Sequence, residues 1–195
     1  MIKINRLNKA DLMKKLSGWN AFLRRKIHLI ACGGTALTLL DIKESTKDID
    51  FMIPLENDYK YLIRILSDLG YVQDTGYGWK RTGEIYSFDL FMGNFVFTTG
   101  LIESPLAEGN NILIKEFSHI FLGTLNYYDL IISKIFRGST QDFEDCFTLI
   151  KTKSKEIDRS YLQKRFKETA SYEPAEDRVN KQFDYFISKI EKDKL

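Results

Sequence analysis

Two aspartates, Asp48 and Asp50, stand two residues apart in the run Thr46-Lys47-Asp48-Ile49-Asp50-Phe51 of this 195-residue chain. The apolar residues that follow, stopped by Pro54, predict a strand from Asp48 to Ile53. Residues two apart on a strand share a face, with Cα atoms about 6.6 Å apart. Both carboxylates then project together while Ile49 turns into the core. Such a pair suits one or two hard cations. Magnesium takes oxygen ligands and is commonly held by only one or two carboxylates, with substrate phosphates and water completing its shell. A third acid, Asp89, lies in Tyr86-Ser87-Phe88-Asp89-Leu90-Phe91. A charge inside an aromatic strand is costly unless it is paired or bound to metal. Asp89 therefore joins Asp48 and Asp50 as a candidate metal ligand; a salt bridge to a nearby Lys or Arg is the other reading.

Upstream, Gly33-Gly34-Thr35 follows the short apolar run Ile27-His28-Leu29-Ile30-Ala31 and precedes the helical pattern Thr35 to Leu40. Two glycines between a strand and a helix permit close backbone approach and can aim amide N–H groups at a phosphate, with Thr35 adding a hydroxyl. A Gly-Gly pair alone is as well explained by a tight turn, and a lone Asp-X-Asp is similarly weak. Their order carries more: phosphate-binding turn, intervening helix, acidic strand, then a later acid.

In that order the chain resembles the DNA polymerase beta-like nucleotidyltransferase superfamily, with Gly33, Gly34, Asp48, Asp50 and Asp89 matching the superfamily's pattern. More narrowly, Gly33-Gly34-Thr35-Ala36-Leu37 and Thr46-Lys47-Asp48-Ile49-Asp50-Phe51 look like the AbiEii-type toxin nucleotidyltransferases and their relatives. That branch also carries a lysine on a helix after the catalytic domain and then an Asp-X-X-Asp helix. Lys134 in Tyr128-Asp129-Leu130-Ile131-Ile132-Ser133-Lys134, and Asp142-Phe143-Glu144-Asp145, fill those places. Ser139 stands where the branch often has Arg, and Lys43-Glu44-Ser45 lacks the Arg common before the acidic strand.

The resemblance, over roughly residues 27 to 150, implies an enzyme that moves a nucleoside monophosphate from a nucleoside triphosphate to an acceptor hydroxyl. Magnesium would sit on Asp48, Asp50 and Asp89, with Gly33, Gly34, Thr35 and Lys134 at the nucleotide. The implied acceptor is RNA such as a tRNA 3′ end, or a protein, and the implied setting is a toxin with a cognate antitoxin. Lys134, a compact cation, can hold a triphosphate or pyrophosphate; it can also be a surface lysine paired with an acid such as Asp129. Asp142 and Asp145 either orient Lys134 or the acceptor, or simply favour a helix N-terminus. A catalytically inactive nucleotide- or RNA-binding module is the rival function.

These residues need a scaffold, and the sequence sketches one. Leu12, Leu16, Trp19 and Leu23 form an apolar stripe on a helix from Asn8 to about Arg25. Glu56 to Leu69 repeats the helical period and stops at Gly70. Tyr71-Val72, Trp79 to Thr82 and Glu84 to Met92 read as strands. Residues 93–111 are turn-rich, and 112–115 and 121–125 look extended. Helices follow from Asn126 to Phe136, after Ser139 or Thr140, from Lys155 to Arg165 and from Glu176 to Ile190. The expected class is α/β (α+β): a nucleotidyltransferase fold with a mixed sheet flanked by helices over 1–125, then a helical region over 126–195.

Composition sets outer bounds. A hydrophobic fraction of 44% and only 3 prolines fit a globular chain without long disordered linkers. No apolar run approaches the roughly 20 residues that span a bilayer, and the charged start lacks the apolar stretch of a signal peptide, so a cytoplasmic protein is expected. Cys32 and Cys146 lack Cys or His neighbours at zinc spacing and read as core residues. Net charge is only +2, yet residues 1–30 hold eight Lys or Arg (Lys3, Arg6, Lys9, Lys14, Lys15, Arg24, Arg25, Lys26) against Asp11 alone. That asymmetry is compatible with a polyanion-facing surface and with a plain solvated helix face. Tyr77, Trp79 and Tyr86 are candidates to stack a base, although strand aromatics are more often core.

Overall fold

The structure, a computed structural model, describes residues 6–192; Lys3 of the basic N-terminal run lies outside them. The first helix, α1 (Lys9–Phe22), starts where the Asn8 side chain accepts the Asp11 amide at 2.9 Å. Its stripe of Leu12, Leu16 and Trp19 is buried as the spacing requires. Strand β1 (Ile27–Ala31) leads into α2 (Gly33–Leu39), β2 (Ile49–Ile53) and α3 (Glu56–Asp68). Gly70, at φ +85°, takes the left-handed position after α3. Then come β3 (Tyr71–Gln73), β4 (Gly78–Arg81), β5 (Phe88–Met92), the small hairpin β6 (Phe95–Val96) and β7 (Thr99–Gly100), β8 (Asn111–Glu116) and β9 (Ile120–Leu125). Helices α4 (Tyr127–Arg137), α5 (Thr140–Thr152), α6 (Arg159–Ala170) and α7 (Glu176–Lys192) complete the described residues.

Seven strands form one mixed sheet in the order β3-β4-β5-β2-β1-β9-β8. β1 runs parallel to β9 and antiparallel to β2, and β2 runs parallel to β5. The expected mixed α/β architecture is what the chain adopts. β1 and β2 are apolar except for His28 and Asp50, and apart from the partly buried His28 every residue of the two is buried, as in strands covered on both faces. On one face Trp19 of α1 packs on Phe88 and Tyr71, with ring centroids 4.2 and 6.2 Å apart. The buried apolar residues make one cluster from Leu7 to Ile190, so the four C-terminal helices share the core of the sheet.

Local chemistry explains where the elements differ from expectation. β5 begins at Phe88 rather than Glu84, because the Glu84 carboxylate is held by Lys15 and by the Tyr71 hydroxyl ahead of the strand. The first of the last two helices starts at Arg159, not Lys155, since the Asp158 side chain accepts the amides of Ser160 and Tyr161 and caps it there. α4 is capped by Asn126 and closed by Gly138 at φ +70°. Arg165 of α6 reaches both Asp129 oxygens, at 2.7 and 2.9 Å, tying α6 to the first turn of α4. Among the described residues no helix is long and apolar enough to cross a membrane.

Candidate active site

Register places the acids. Asp50 in β2 and Asp89 in β5 are direct partners across a parallel pair, so their side chains share one face of the sheet. Asp50 is buried and Asp89 half-buried. Asp48 lies one residue before β2 and is exposed, which corrects the expected strand start by one position and puts this acid at the mouth rather than the floor.

The glycines serve this floor directly. Gly33 and Gly34 form the first turn of α2 rather than a turn ahead of it. At Gly33, φ is +56° and a Cβ would stand 2.5 Å from Asp50 Oδ2; at Gly34 a Cβ would stand 2.7 Å from the Thr46 hydroxyl. Neither position has room for a side chain. Thr35, expected to offer its hydroxyl to phosphate, uses it on the acidic segment: Oγ1 donates to the Asp48 carbonyl at 2.9 Å and accepts the Asp50 amide at 3.0 Å. Thr46 donates to the same Asp48 carbonyl at 2.9 Å. Two hydroxyls from two segments thus fix the backbone that carries both aspartates.

Facing these acids across a cleft of 570 Å³ stand Lys43, Lys134, Arg137, Asp142 and Asp145. Lys134 is only 2% exposed, and its ammonium donates to Asp145 Oδ2 at 2.6 Å and to Asp142 Oδ1 at 3.5 Å. It is neither a surface lysine nor a partner of Asp129, whose carboxylate is taken by Arg165. Lys43 donates to the other Asp145 oxygen at 2.7 Å. Arg137 grips Asp142 through both Nε and Nη2 and lies 4.2 Å over the ring of Phe97. Asp142 also closes a capping box with Ser139 at the start of α5. The helix-start and lysine-orienting readings of Asp142 therefore hold together geometrically, while Asp145 belongs to the lysines.

Charge is distributed unevenly between the two walls. Burial, then the negative charges of Asp89 and Asp48, push the Asp50 carboxyl up to about 7. Burial and the charge of Asp48 raise Asp89 as well. Opposite them, burial would raise Asp142, but hydrogen bonds from Arg137 and Ser139 with the charges of Arg137 and Lys134 lower it on balance. Asp145 is likewise lowered, its burial outweighed by Lys134 and Lys43. The charge of the sheet wall is only partly offset, by Arg137 and Lys134, whereas the opposite wall sets the three cations Lys43, Lys134 and Arg137 against the two acids Asp142 and Asp145.

Among the described residues no group of three or more His, Cys, Asp or Glu is gathered closely enough to hold a metal ion alone. The donor set of Asp48, Asp50 and Asp89 still fits magnesium, which asks for few protein carboxylates and takes phosphate oxygens for the rest, and the mutual repulsion within this set is what a cation relieves.

Sequence reasoning missed Arg137, Lys43 and Phe97. The arginine missing at 139 has a counterpart two residues earlier, where helical spacing from Lys134 (i, i+3) gave a signal. Lys43 reaches Asp145 from 102 residues away, and no local pattern announces that. His28 has Asp58 Oδ2 3.1 Å from its Nδ1, away from this cleft.

The architecture has solved counterparts. A crystal structure of ANT(2")-Ia in complex with adenylyl-2"-tobramycin superposes with a TM-score of 0.56 over 83% of this chain and 96% of that one, at 14% identity. A solution structure of the antibiotic-resistance factor ANT(2'')-Ia superposes at 0.54 over 83% of this chain and 90% of that one, again at 14% identity. The fold is that of the nucleotidyltransferases. Residues 111–195 match the family model described as nucleotidyltransferase of unknown function (DUF6036). The family model carries the nucleotidyltransferase description expected from the motif order, and the two solved structures share the fold. The family match spans Lys134, Asp142 and Asp145 and ends short of the acidic floor, while no curated protein matches the sequence.

Proposed function

We propose that the nucleotidyltransferase transfers a nucleoside monophosphate from a nucleoside triphosphate to an acceptor hydroxyl at the Asp48, Asp50 and Asp89 cleft, with magnesium as its ion. The observation that carries this reading is the in-register pair Asp50 and Asp89, one buried and the other half-buried on a shared face, opposite the cations Lys134, Lys43 and Arg137. Asp48, Asp50 and Asp89 would hold the ion, which when bound neutralises polyphosphate charge and stabilises the attacking and leaving oxygens. Gly33 and Gly34 keep the floor beside Asp50 clear for the phosphates. Lys134 and Arg137 face the developing negative charge of the pyrophosphate group, a role of positioning and charge neutralisation. Asp89, with its raised affinity for a proton, accepts the proton of the acceptor hydroxyl. The acceptor oxygen then forms its bond to the α-phosphorus as the bond to pyrophosphate breaks.

The acceptor in this reading is RNA, such as a tRNA 3′ end, in keeping with the AbiEii-type resemblance and with the basic residues Arg6, Lys43 and Lys47 at the cleft. The same resemblance supports a role as the toxin of a toxin and antitoxin pair. The test incubates purified protein with each α-labelled nucleoside triphosphate, Mg²⁺ and total RNA, with Asp48→Ala and Asp50→Ala as controls. Label on RNA that both substitutions abolish is expected. No transfer to RNA, to the protein itself or to a co-purified partner, with nucleotide binding unchanged in the variants, would sink the enzyme reading.

A further inference from the structure

The active-site face of the sheet does not end at Asp89. Asp89 is paired with Gly78 of β4, and Lys80 follows Gly78 by two residues on the same face, with Val72 of β3 beside it. Val72 and Lys80 are exposed, so this end of the sheet is uncovered on the Asp89 side. On the opposite side, Phe88, Tyr71 and Trp79 are buried, the first two against Trp19 of α1. Gly78 brings its backbone close to Asp89, where a Cβ would stand 3.2 Å from Asp89 Oδ1, and the Thr75 hydroxyl covers the glycine, accepting its amide at 2.9 Å. Next to it, Tyr77 is 45% exposed and rests on Phe91, two residues beyond Asp89 on the same face, with centroids 4.9 Å apart. Phe91 in turn meets Phe97 at 4.8 Å, and Phe97 lies under Arg137. An aromatic row thus runs from the cationic wall, past the acids, to an open tyrosine.

We propose that this uncovered strip is the docking surface of the acceptor, with Tyr77 as the platform for a nucleobase and Lys80 as the contact for an adjoining phosphate of a single-stranded nucleic-acid end. The inference rests on the transfer reaction proposed above and adds the side from which the acceptor enters. Two features select this occupant. A half-exposed tyrosine held by a buried ring offers a rigid face for stacking, which every base accepts. Lys80 has no ion-pair partner among the described residues and is complementary to an anion, whereas a polycationic acceptor would be repelled.

The test uses the full chain, a fluorescent oligoribonucleotide, total RNA and a fluorescent nucleoside triphosphate with Mg²⁺. Tyr77→Ala is expected to weaken oligoribonucleotide binding by about tenfold and to raise the acceptor KM with kcat retained, and Tyr77→Phe restores both. Lys80→Glu weakens RNA binding and lowers its salt slope by about one. Nucleotide affinity stays unchanged in all three, which separates a docking role from a damaged active site. Wild-type transfer to RNA with acceptor KM and RNA affinity unaltered in Tyr77→Ala and Lys80→Glu overturns the surface while sparing the reaction. Absence of any transfer to RNA by the wild type, or label on protein alone, overturns the RNA reaction and this inference with it.

Discussion

Lys134 and Asp145 meet at 2.6 Å in a place where their side chains are only 2% and 5% exposed. A buried ammonium survives only when its charge is matched, and the two acids of α5 provide the match.

Replacing Lys134 with Ala therefore strikes stability before chemistry. Each acid keeps one other cation, Lys43 for Asp145 and Arg137 for Asp142, so the cost should fall near the lower end for a broken buried pair, about 3 kcal/mol. Urea unfolding measures it. A loss under about 1 kcal/mol would show that the ammonium is not held as described.

Acid should loosen the same wall. The folded-state values of Asp142 and Asp145 lie below the ordinary carboxylate value. Their contribution is thus fully present above the unfolded pKa, about 3.9, and is lost as pH falls through the lower folded values. Thermal unfolding followed from neutral pH down to about pH 3 should show a decline at the acid end that Asp145→Asn makes shallower. An unchanged slope in that variant would contradict the assignment.

The sheet wall behaves oppositely. Asp50 is buried among like charges, so Asp50→Asn relieves repulsion and desolvation while removing a candidate ligand. With EDTA present to exclude metal, the variant should unfold at a temperature equal to or a few degrees above the wild type. Its nucleotidyl transfer should fall by about three orders of magnitude or more, because groups that act as a unit fail together. A destabilised Asp50→Asn protein would mean the carboxylate has a structural partner.

Much of this scaffold was legible because it rests on local periodicity. The α1 stripe, the strand before Gly33 and the caps at Asn126 and Ser139 depend on neighbours within a few residues. Asp89 was legible for another reason, as a charge with no local excuse inside an aromatic strand. Phe97 and Lys43 were not, since each takes its meaning from a partner distant in the chain, Arg137 and Asp145. Thr35 misled because a hydroxyl beside two glycines suits a phosphate as well as it suits the backbone it holds.

Gly33→Ala probes the tightest contact in the site. The left-handed φ costs an alanine about 1–2 kcal/mol, and the added methyl presses on Asp50 Oδ2. The expected result is a measurable loss in unfolding free energy together with transfer reduced about a hundredfold. Chemical denaturation and a transfer assay on one preparation check both. Full activity would place the phosphates elsewhere.

β1 lies between β2 and β9, so one of its edges waits for a strand that begins at Ile120. Sequence separation of that size delays closure, because the chain entropy of the loop is lost before the pairing rewards it. A nascent chain that has not yet reached β9 already carries all three aspartates, but neither the edge that completes β1 nor the helices bearing Lys134, Asp142 and Asp145. Assembly of the two walls is therefore a late event in synthesis, and a chain cut short before Ile120 is born without the Lys134 and Arg137 that stand opposite its acids.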